Sequence, residues 1–133
     1  MIIDNVYESE TLLCIFIQKL PDSQSSDFIT NDHEILQVGM IHVNPSRQVN
    51  RHRHNKIERN TLGTSEVLIV IKGQILATIY SEFSEQIICE RLLGVGDVVV
   101  LLKGGHGFTS LVDSLLFEVK NGPYNQVTDK VYF

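Results

Sequence analysis

Short apolar runs, separated by turn-forming residues about every eight to twelve positions, extend along most of the chain. Many runs either alternate with polar residues or are continuously apolar, as strands of an all-β sandwich or barrel are. The clearest hairpin joins two runs at Lys72-Gly73, because glycine adopts the positive φ of a tight turn. Pro21-Asp22 and the polar residues 23–27 predict an exposed loop. The predicted strands are residues 11–20, 34–44, 49–54, 66–71, 74–81, 86–93, 98–102, 108–111 and 115–120.

Composition and charge narrow the class of protein. The 133 residues, 43% hydrophobic and 20% charged, suit a single folded domain over residues 1–133 and exclude a disordered chain. The formal charge of −5 has the wrong sign for binding a phosphate backbone, so no nucleic acid partner is expected. No apolar run reaches the roughly 18 residues that span a bilayer, and the first residues are acidic. The sequence therefore predicts a cytoplasmic protein without a membrane partner.

Three further features concern packing. Residues 67–71 and 98–102 are apolar on both faces, which predicts that one face lies on the interior and the other on a second sheet or a subunit, and this favours a homodimer. Cys14 and Cys89 each lie in an apolar run outside any metal-binding or redox motif, which predicts buried thiols. The tail, residues 121–133, ends in three apolar residues and is expected to pack on the body of the protein.

A group of histidines and a carboxylate carries the candidate chemistry. His52 and His54 are spaced i, i+2 on a predicted strand, so both side chains face one side. Glu66 opens the next strand, and His106 follows a glycine turn at the start of another. Imidazoles with one carboxylate suit Fe(II), Mn(II), Ni(II), Co(II) or Zn(II) and leave positions open for water or substrate. The alternative is a metal-free barrel in which the imidazoles are hydrogen-bonded inside.

Other charged residues are candidates for proton transfer. Glu118 and Lys120 share one face of the last predicted strand by parity. If that face is interior, the two residues form an ion pair or flank a ligand and could act as general acid and base. If it is exterior, they are ordinary surface charges. Glu58, in the loop after His54, is a further candidate for moving a proton.

The first part of this histidine group resembles the first motif of the cupin superfamily, G(x)5HxH(x)3-4E(x)6G. His52-Arg53-His54 matches the HxH element, and Glu66 and Gly73 match E(x)6G without a gap. Eleven residues separate His54 from Glu66, where the motif has three or four. Glu58 stands where the motif's spacing from HxH would place the carboxylate, but Glu66 keeps register with the Gly73 turn and is the preferred ligand.

The second cupin motif, G(x)5PxG(x)2H(x)3N, has a partial counterpart. Gly96 begins it, Leu102 stands at the usual proline, Gly104 fits, and His106 follows one residue early. The resemblance covers about residues 38–120.

The resemblance implies a double-stranded β-helix, a jelly-roll-like barrel, with His52, His54, Glu66 and His106 as ligands of a divalent transition metal ion. Residues 104–108 and 118–124 also look like those of small cupins associated with surface-polysaccharide and sugar-nucleotide gene clusters. The expected substrate is therefore a sugar-like small molecule, and the expected activity is of the isomerase or epimerase type, with a metal ion as Lewis acid. An Fe(II)-dependent dioxygenase and a non-catalytic sugar-binding module remain alternatives, since such barrels host many chemistries.

Overall fold

The computed structural model describes residues 1–19, 26–45 and 48–133. In these residues the regular structure is entirely β. No helix long and apolar enough to cross a membrane occurs there. The strands are β1 (Ile2–Glu8), β2 (Thr11–Gln18), β3 (Asp27–Phe28), β4 (Gly39–Met40), β5 (Glu66–Lys72), β6 (Gln74–Tyr80), β7 (Ile87–Gly94), β8 (Val98–Leu101), β9 (Gly105–Ser110) and β10 (Leu115–Lys120).

The strands form three antiparallel sheets. The largest has the order β1-β2-β8-β5-β10, the second has the order β7-β6-β9, and β3 pairs with β4 alone. From β5 onward the chain passes between the two larger sheets: β5, β8 and β10 belong to the first, and β6, β7 and β9 to the second. The prediction of an all-β fold is confirmed.

The main core lies between the two larger sheets. Period-2 alternation along β5 turns Glu66, Leu68 and Val70 to the same buried side. The register places Lys120, Glu118 and Leu116 of β10 beside these three residues on that face. A single apolar cluster joins both sheets, and its buried members are Leu13, Cys14, Phe16, Leu68, Val70, Ile75, Ala77, Ile79, Leu93, Val99 and Leu101.

A second core covers the opposite face of the five-stranded sheet. It contains Ile15 and Ile17 of β2 and Val98 and Val100 of β8, with Ile29, Val38 and other partly buried residues packed against them. This packing explains why β2 and β8 are apolar on both faces. On the same face, β10 instead presents an exposed row, Leu115, Phe117 and Val119.

The sequence predicted some strands well and others wrongly. Strands β5 to β8 and β10 lie where they were predicted, and β9 begins three residues earlier than predicted, at Gly105. The predicted strand 34–44 shrinks to Gly39–Met40, and β1, a mostly exposed edge strand, was not predicted. In the predicted loop 23–27, Asp27 belongs to β3. Leu20, Pro21-Asp22 and the first part of that loop lie outside the described residues.

The two thiols differ in burial. Cys14 is fully buried, and Cys89 is half-buried. Burial, with a smaller contribution from Cys89 and Asp4, raises the pKa of the Cys14 thiol to about 12. Cys14 is therefore a packing residue, as predicted, and not a nucleophile at neutral pH.

Candidate functional site

A cavity of about 750 Å³ is bounded by strands from both larger sheets and by the C-terminal tail. The five-stranded sheet contributes Glu66, Leu68, Leu116 and Glu118, and β9 contributes a short polar and aromatic stretch. The last residues of the chain complete the wall. The lining residues are Gly63, Thr64, Glu66, Leu68, Gly104, Gly105, His106, Phe108, Leu116, Glu118, Thr128, Asp129, Lys130, Val131, Tyr132 and Phe133.

Glu66 and His106 meet across this cavity. His106 lies opposite the buried Ile79 in the β6–β9 register, and Glu66 lies on the inward face of β5. The Nε2 atom of His106 is 3.1 Å from Oε2 of Glu66. The Glu66 side chain is 6% exposed and that of His106 is 30% exposed, so the imidazole stands between the buried carboxylate and solvent.

The surroundings of Glu66 favour its charged form. The hydrogen bond from His106 lowers the pKa of Glu66, and the charges of His106, Lys120 and Lys130 act in the same direction. Burial opposes them by disfavouring the carboxylate, but the net pKa lies below the ordinary value. A carboxylate held in this state accepts the Nε2–H of His106 and fixes the tautomer of the ring.

The ammonium group of Lys120 lies close to three carboxylates beside the cavity. Its Nζ atom is 3.7 Å from Glu66, 3.7 Å from Glu118 and 3.9 Å from Asp129. The same ammonium lies 4.7 Å from the centre of the Tyr124 ring. Burial lowers the pKa of Lys120, but Glu118, Glu66 and Asp129 together raise it above the ordinary value. Lys120 is thus a fixed cation, and Glu118 and Lys120 form the ion pair expected of an interior face.

The C-terminal tail forms one wall of the cavity. The Phe133 ring packs edge-on against Tyr80, with 5.2 Å between the ring centres. Gly105 allows this approach, since a Cβ atom there would lie 2.7 Å from the Phe133 ring. Asp129 ties the tail to Lys120. The expected packing of the tail on the body of the protein is therefore observed.

His52 and His54 lie elsewhere, in a segment without regular structure. Residues 48–62 form no strand, so the predicted strand 49–54 is wrong. Both side chains are exposed, and neither lines the cavity. Four consecutive basic or imidazole residues, 51–54, leave this segment with no apolar face to bury, which explains why it does not join a sheet.

The two histidines are nevertheless close to each other. Their ring centres are 5.3 Å apart in an edge-on arrangement. Nδ1 of His52 lies 2.9 Å from the carbonyl oxygen of Asn50, so this nitrogen donates; in the neutral ring the lone pair is then on Nε2. Across residues 1–19, 26–45 and 48–133, no group of three or more His, Cys, Asp or Glu side chains is placed to hold a metal ion. Glu58 is exposed and does not line the cavity at Glu66 and His106.

The structure thus divides the sequence-predicted residues into two groups. Glu66, His106, Glu118 and Lys120 come together at one cavity, while His52, His54 and Glu58 lie on the exposed segment. Sequence reasoning missed Asp129. No motif marks that residue, and only the expected return of the tail could have directed attention to it.

Comparisons with known proteins identify no relative of this chain. No family model matches the chain, and neither a curated protein nor a solved structure matches it. The fold and the geometry of the cavity are therefore the basis for a functional proposal.

Proposed function

We propose that the protein is a cupin-like enzyme that binds a small, carbohydrate-like molecule in this cavity and moves a proton on it, as isomerases and epimerases do. The observation that carries the proposal is the Glu66–His106 pair, 3.1 Å apart, on the cavity wall. A double-stranded β-helix is supported by two packed antiparallel sheets between which the chain passes repeatedly from β5 to β10. The sequence resemblance to cupins supports the same fold.

His106 is the proposed base. When the His106 ring is neutral, its Nε2–H is donated to Glu66 and its Nδ1 atom carries the lone pair that a base needs. A base at this place removes a proton from carbon next to a carbonyl, and Glu66 stabilises the imidazolium that forms. Return of the proton to a different face or carbon gives an epimer or an isomer.

The neighbouring charges have separate roles in this proposal. Glu118 lines the cavity and is 42% exposed, so it is placed to exchange a second proton with a ligand and with solvent. Lys120 keeps its proton, because its pKa is raised, and therefore holds the carboxylates in position. Lys120 is a positioning residue here.

The cavity suits a small polar ligand. Its volume of about 750 Å³ falls within the range of about 300–1,000 Å³ that is usual for small-molecule sites. Phe108 and Leu116 offer apolar contacts, while Thr64, Glu118 and Thr128 offer hydrogen-bonding groups. This mixture fits a sugar ring, which has both apolar C–H faces and hydroxyl groups.

Exchange of carbon-bound hydrogen with solvent tests the proposed reaction. A panel of aldoses, ketoses and keto sugars is incubated in D₂O with wild-type protein, and deuterium next to each carbonyl is measured by NMR. We expect incorporation with at least one compound, a loss of about 100-fold or more in His106→Ala, and a smaller loss in Glu66→Gln. Equal incorporation by wild type and His106→Ala for every compound would contradict the proposal.

A metal-binding function is the second candidate, and the His52–His54 pair favours it. The two rings lie close together, and His52 keeps a free Nε2. Imidazole pairs suit Zn(II), Ni(II), Co(II), Mn(II) or Fe(II). The sequence prediction also named Glu66 and His106 as ligands, but within the described residues these two are not grouped with the pair. Such an ion would supply Lewis-acid chemistry.

Metal analysis separates the two candidates. Protein purified without a tag or chelator is analysed for Fe, Mn, Ni, Co and Zn beside His52→Ala/His54→Ala. A near-stoichiometric metal that disappears in this double variant supports metal binding, whereas unchanged metal content contradicts these ligands. If the double variant also keeps full deuterium exchange, the reaction depends on the cavity alone.

A further inference from the structure

The tail, residues 121–133, lies on the surface of the body as an irregular segment. It contains no strand, but residues 128–133 all line the cavity beside His106. Among the described residues, no member of the tail belongs to either apolar core. Three of its large apolar side chains are almost fully exposed, those of Val127, Val131 and Tyr132. The tail therefore borders the cavity without being packed into the fold.

Few side-chain contacts hold the tail in this position. Lys120 lies 3.9 Å from a carboxylate oxygen of Asp129 and 4.7 Å from the centre of the Tyr124 ring. The Phe133 ring packs edge-on against Tyr80. Partly exposed ion pairs and single aromatic contacts each stabilise a structure only slightly. A segment held in this way opens locally at a small cost in free energy.

The start of the tail is fixed more firmly. The side chain of Asn121 accepts a hydrogen bond from the N–H of Ser65 at 2.7 Å and donates one to the carbonyl oxygen of Gly63 at 3.1 Å. Further along, the backbone N–H of Asp129 donates to the carbonyl oxygen of Asn125, within the tail itself. Opening about Asn121 leaves these hydrogen bonds intact, so the rest of the tail can move as a unit.

Gly105 makes room for the Phe133 ring. A Cβ atom at this position would lie 2.7 Å from one ring carbon of Phe133 and 3.1 Å from Cβ of Tyr80. Gly105 is not among the glycines with a positive φ, so its own backbone does not require glycine. The missing side chain therefore serves the contact with Phe133. This contact lies directly beside His106, the proposed base.

We propose that residues 122–133 are a strap that closes over a sugar in the cavity, hinged at Asn121 and latched by Phe133 on Gly105. In the closed state residues 128–130 contact the sugar. The bound sugar adds contacts that the open state lacks, so it shifts the population toward the closed strap. Phe133 is a positioning residue, since it acts through the rest of the strap. This inference rests on the proposed function, because the strap closes over the same ligand.

Two matched pairs of variants test the latch in the free protein. Gly105→Ala displaces the Phe133 ring, whereas Gly94→Ala fills open space at the end of β7. Phe133→Ala removes the ring from the tail, whereas Val127→Ala shortens an exposed side chain that does not line the cavity. We expect Gly105→Ala and Phe133→Ala to raise the picosecond-to-nanosecond mobility of residues 128–132, measured by backbone nitrogen relaxation. The other two variants behave as wild type.

Titration with glucose, fructose and the keto sugar glucosone, followed by NMR, tests the coupling to a ligand. We expect a sugar that binds wild-type protein to reduce the mobility of residues 128–132. Phe133→Ala and Gly105→Ala should each weaken its binding about fivefold or more, because a smaller fraction of the protein has the strap closed. Gly94→Ala and Val127→Ala keep the wild-type affinity. Because Phe133→Ala leaves the body of the protein unchanged, it tests the latch even if Gly105→Ala strains β9.

The outcomes separate the strap from the proposed reaction. If residues 128–132 are equally mobile with and without a bound sugar, or Phe133→Ala binds as tightly as wild type, the strap is wrong. If none of the three sugars binds, the strap is wrong for this class of ligand as well. Deuterium incorporation that wild type catalyses and His106→Ala loses leaves the proposed reaction standing in each of these cases. A sugar that quiets the tail without any incorporation supports the strap and contradicts the reaction.

Discussion

At the scale of residues, the interior contains a buried carboxylate, that of Glu66. Glu66 is 5% exposed and lies next to Leu68 on a face that is otherwise part of the apolar core. A buried charge is tolerated only when partners compensate for the water it has lost. His106 and Lys120 are those partners. The contacts that are proposed to support proton transfer therefore also stabilise the fold.

The stability of the protein is expected to depend on pH through Glu66. Because the folded state lowers its pKa, the ionised carboxylate stabilises the fold at pH values above its ordinary pKa. This contribution is lost as the pH falls through the lowered, folded-state value. Glu66→Gln should therefore reduce the free energy of unfolding at pH 7 by about 1–3 kcal/mol, as loss of a hydrogen bond to a charged group does.

Urea unfolding at a series of pH values measures this effect. The difference between wild type and Glu66→Gln should shrink as the pH falls below the ordinary carboxyl pKa of 4.5 and through the lowered, folded-state value, while the exposed Glu85→Gln stays within a few tenths of a kcal/mol of wild type. A difference that is the same at every pH would mean that the charge of Glu66 does not stabilise the folded state.

At the scale of elements, the β5–β6 hairpin depends on Gly73 for two reasons. Its φ is +82°, and a Cβ atom there would approach the carbonyl oxygen of Asp113 to 2.6 Å. Gly96 has nearly the same φ, +84°, but has open space around it. Alanine at Gly96 thus reports the backbone strain alone, whereas alanine at Gly73 adds a steric clash.

The two alanine variants should differ clearly in stability. Gly96→Ala is expected to cost about 1–2 kcal/mol, the usual penalty for a left-handed conformation. Gly73→Ala should cost roughly 1–3 kcal/mol more, because backbone and side-chain atoms at Asp113 and Ser114 must move. Chemical denaturation of both variants tests this, and equal losses would show that the close approach at Gly73 is not important.

The elements also show what could be predicted from the sequence. Strands β5 to β8 and β10 were predictable because each is a short apolar run bounded by turn residues, and parity then placed Glu118 and Lys120 on one face. The failures lie where pairing depends on distant residues. β1 is mostly exposed and is ordered by pairing with β2, whereas residues 49–54 have strand-like spacing but no apolar face to bury. The local pattern of apolar and polar residues does not show which distant segment a strand will pair with.

At the scale of the whole molecule, the apolar row on β10 bears on the predicted homodimer. Leu115, Phe117 and Val119 are 57%, 56% and 47% exposed on the outer face of the five-stranded sheet. In the strand register, Phe117 and Val119 lie opposite Ile69 and Val67 of β5, which extend the same apolar surface. Such a continuous patch on an acidic protein is typical of a contact with a second copy.

Sedimentation equilibrium tests the dimer. We expect wild-type protein to dimerise and Phe117→Glu to be monomeric, with its fold retained because the side chain is exposed. Phe83→Glu is the control, since Phe83 is 80% exposed on the segment between β6 and β7 and lies away from this row. A monomeric wild type, or an effect of Phe83→Glu equal to that of Phe117→Glu, would contradict the prediction.

The central claim is that a small polar molecule binds beside Glu66 and His106. An NMR titration of isotope-labelled protein with the sugar panel, followed through backbone amide and imidazole signals, tests it most directly. The account predicts saturable shifts at Glu66, His106, Glu118 and the tail residues 128–133, and their loss in His106→Ala. Saturable shifts confined to His52, His54 and their neighbours, or no saturable shifts with any sugar, would contradict it.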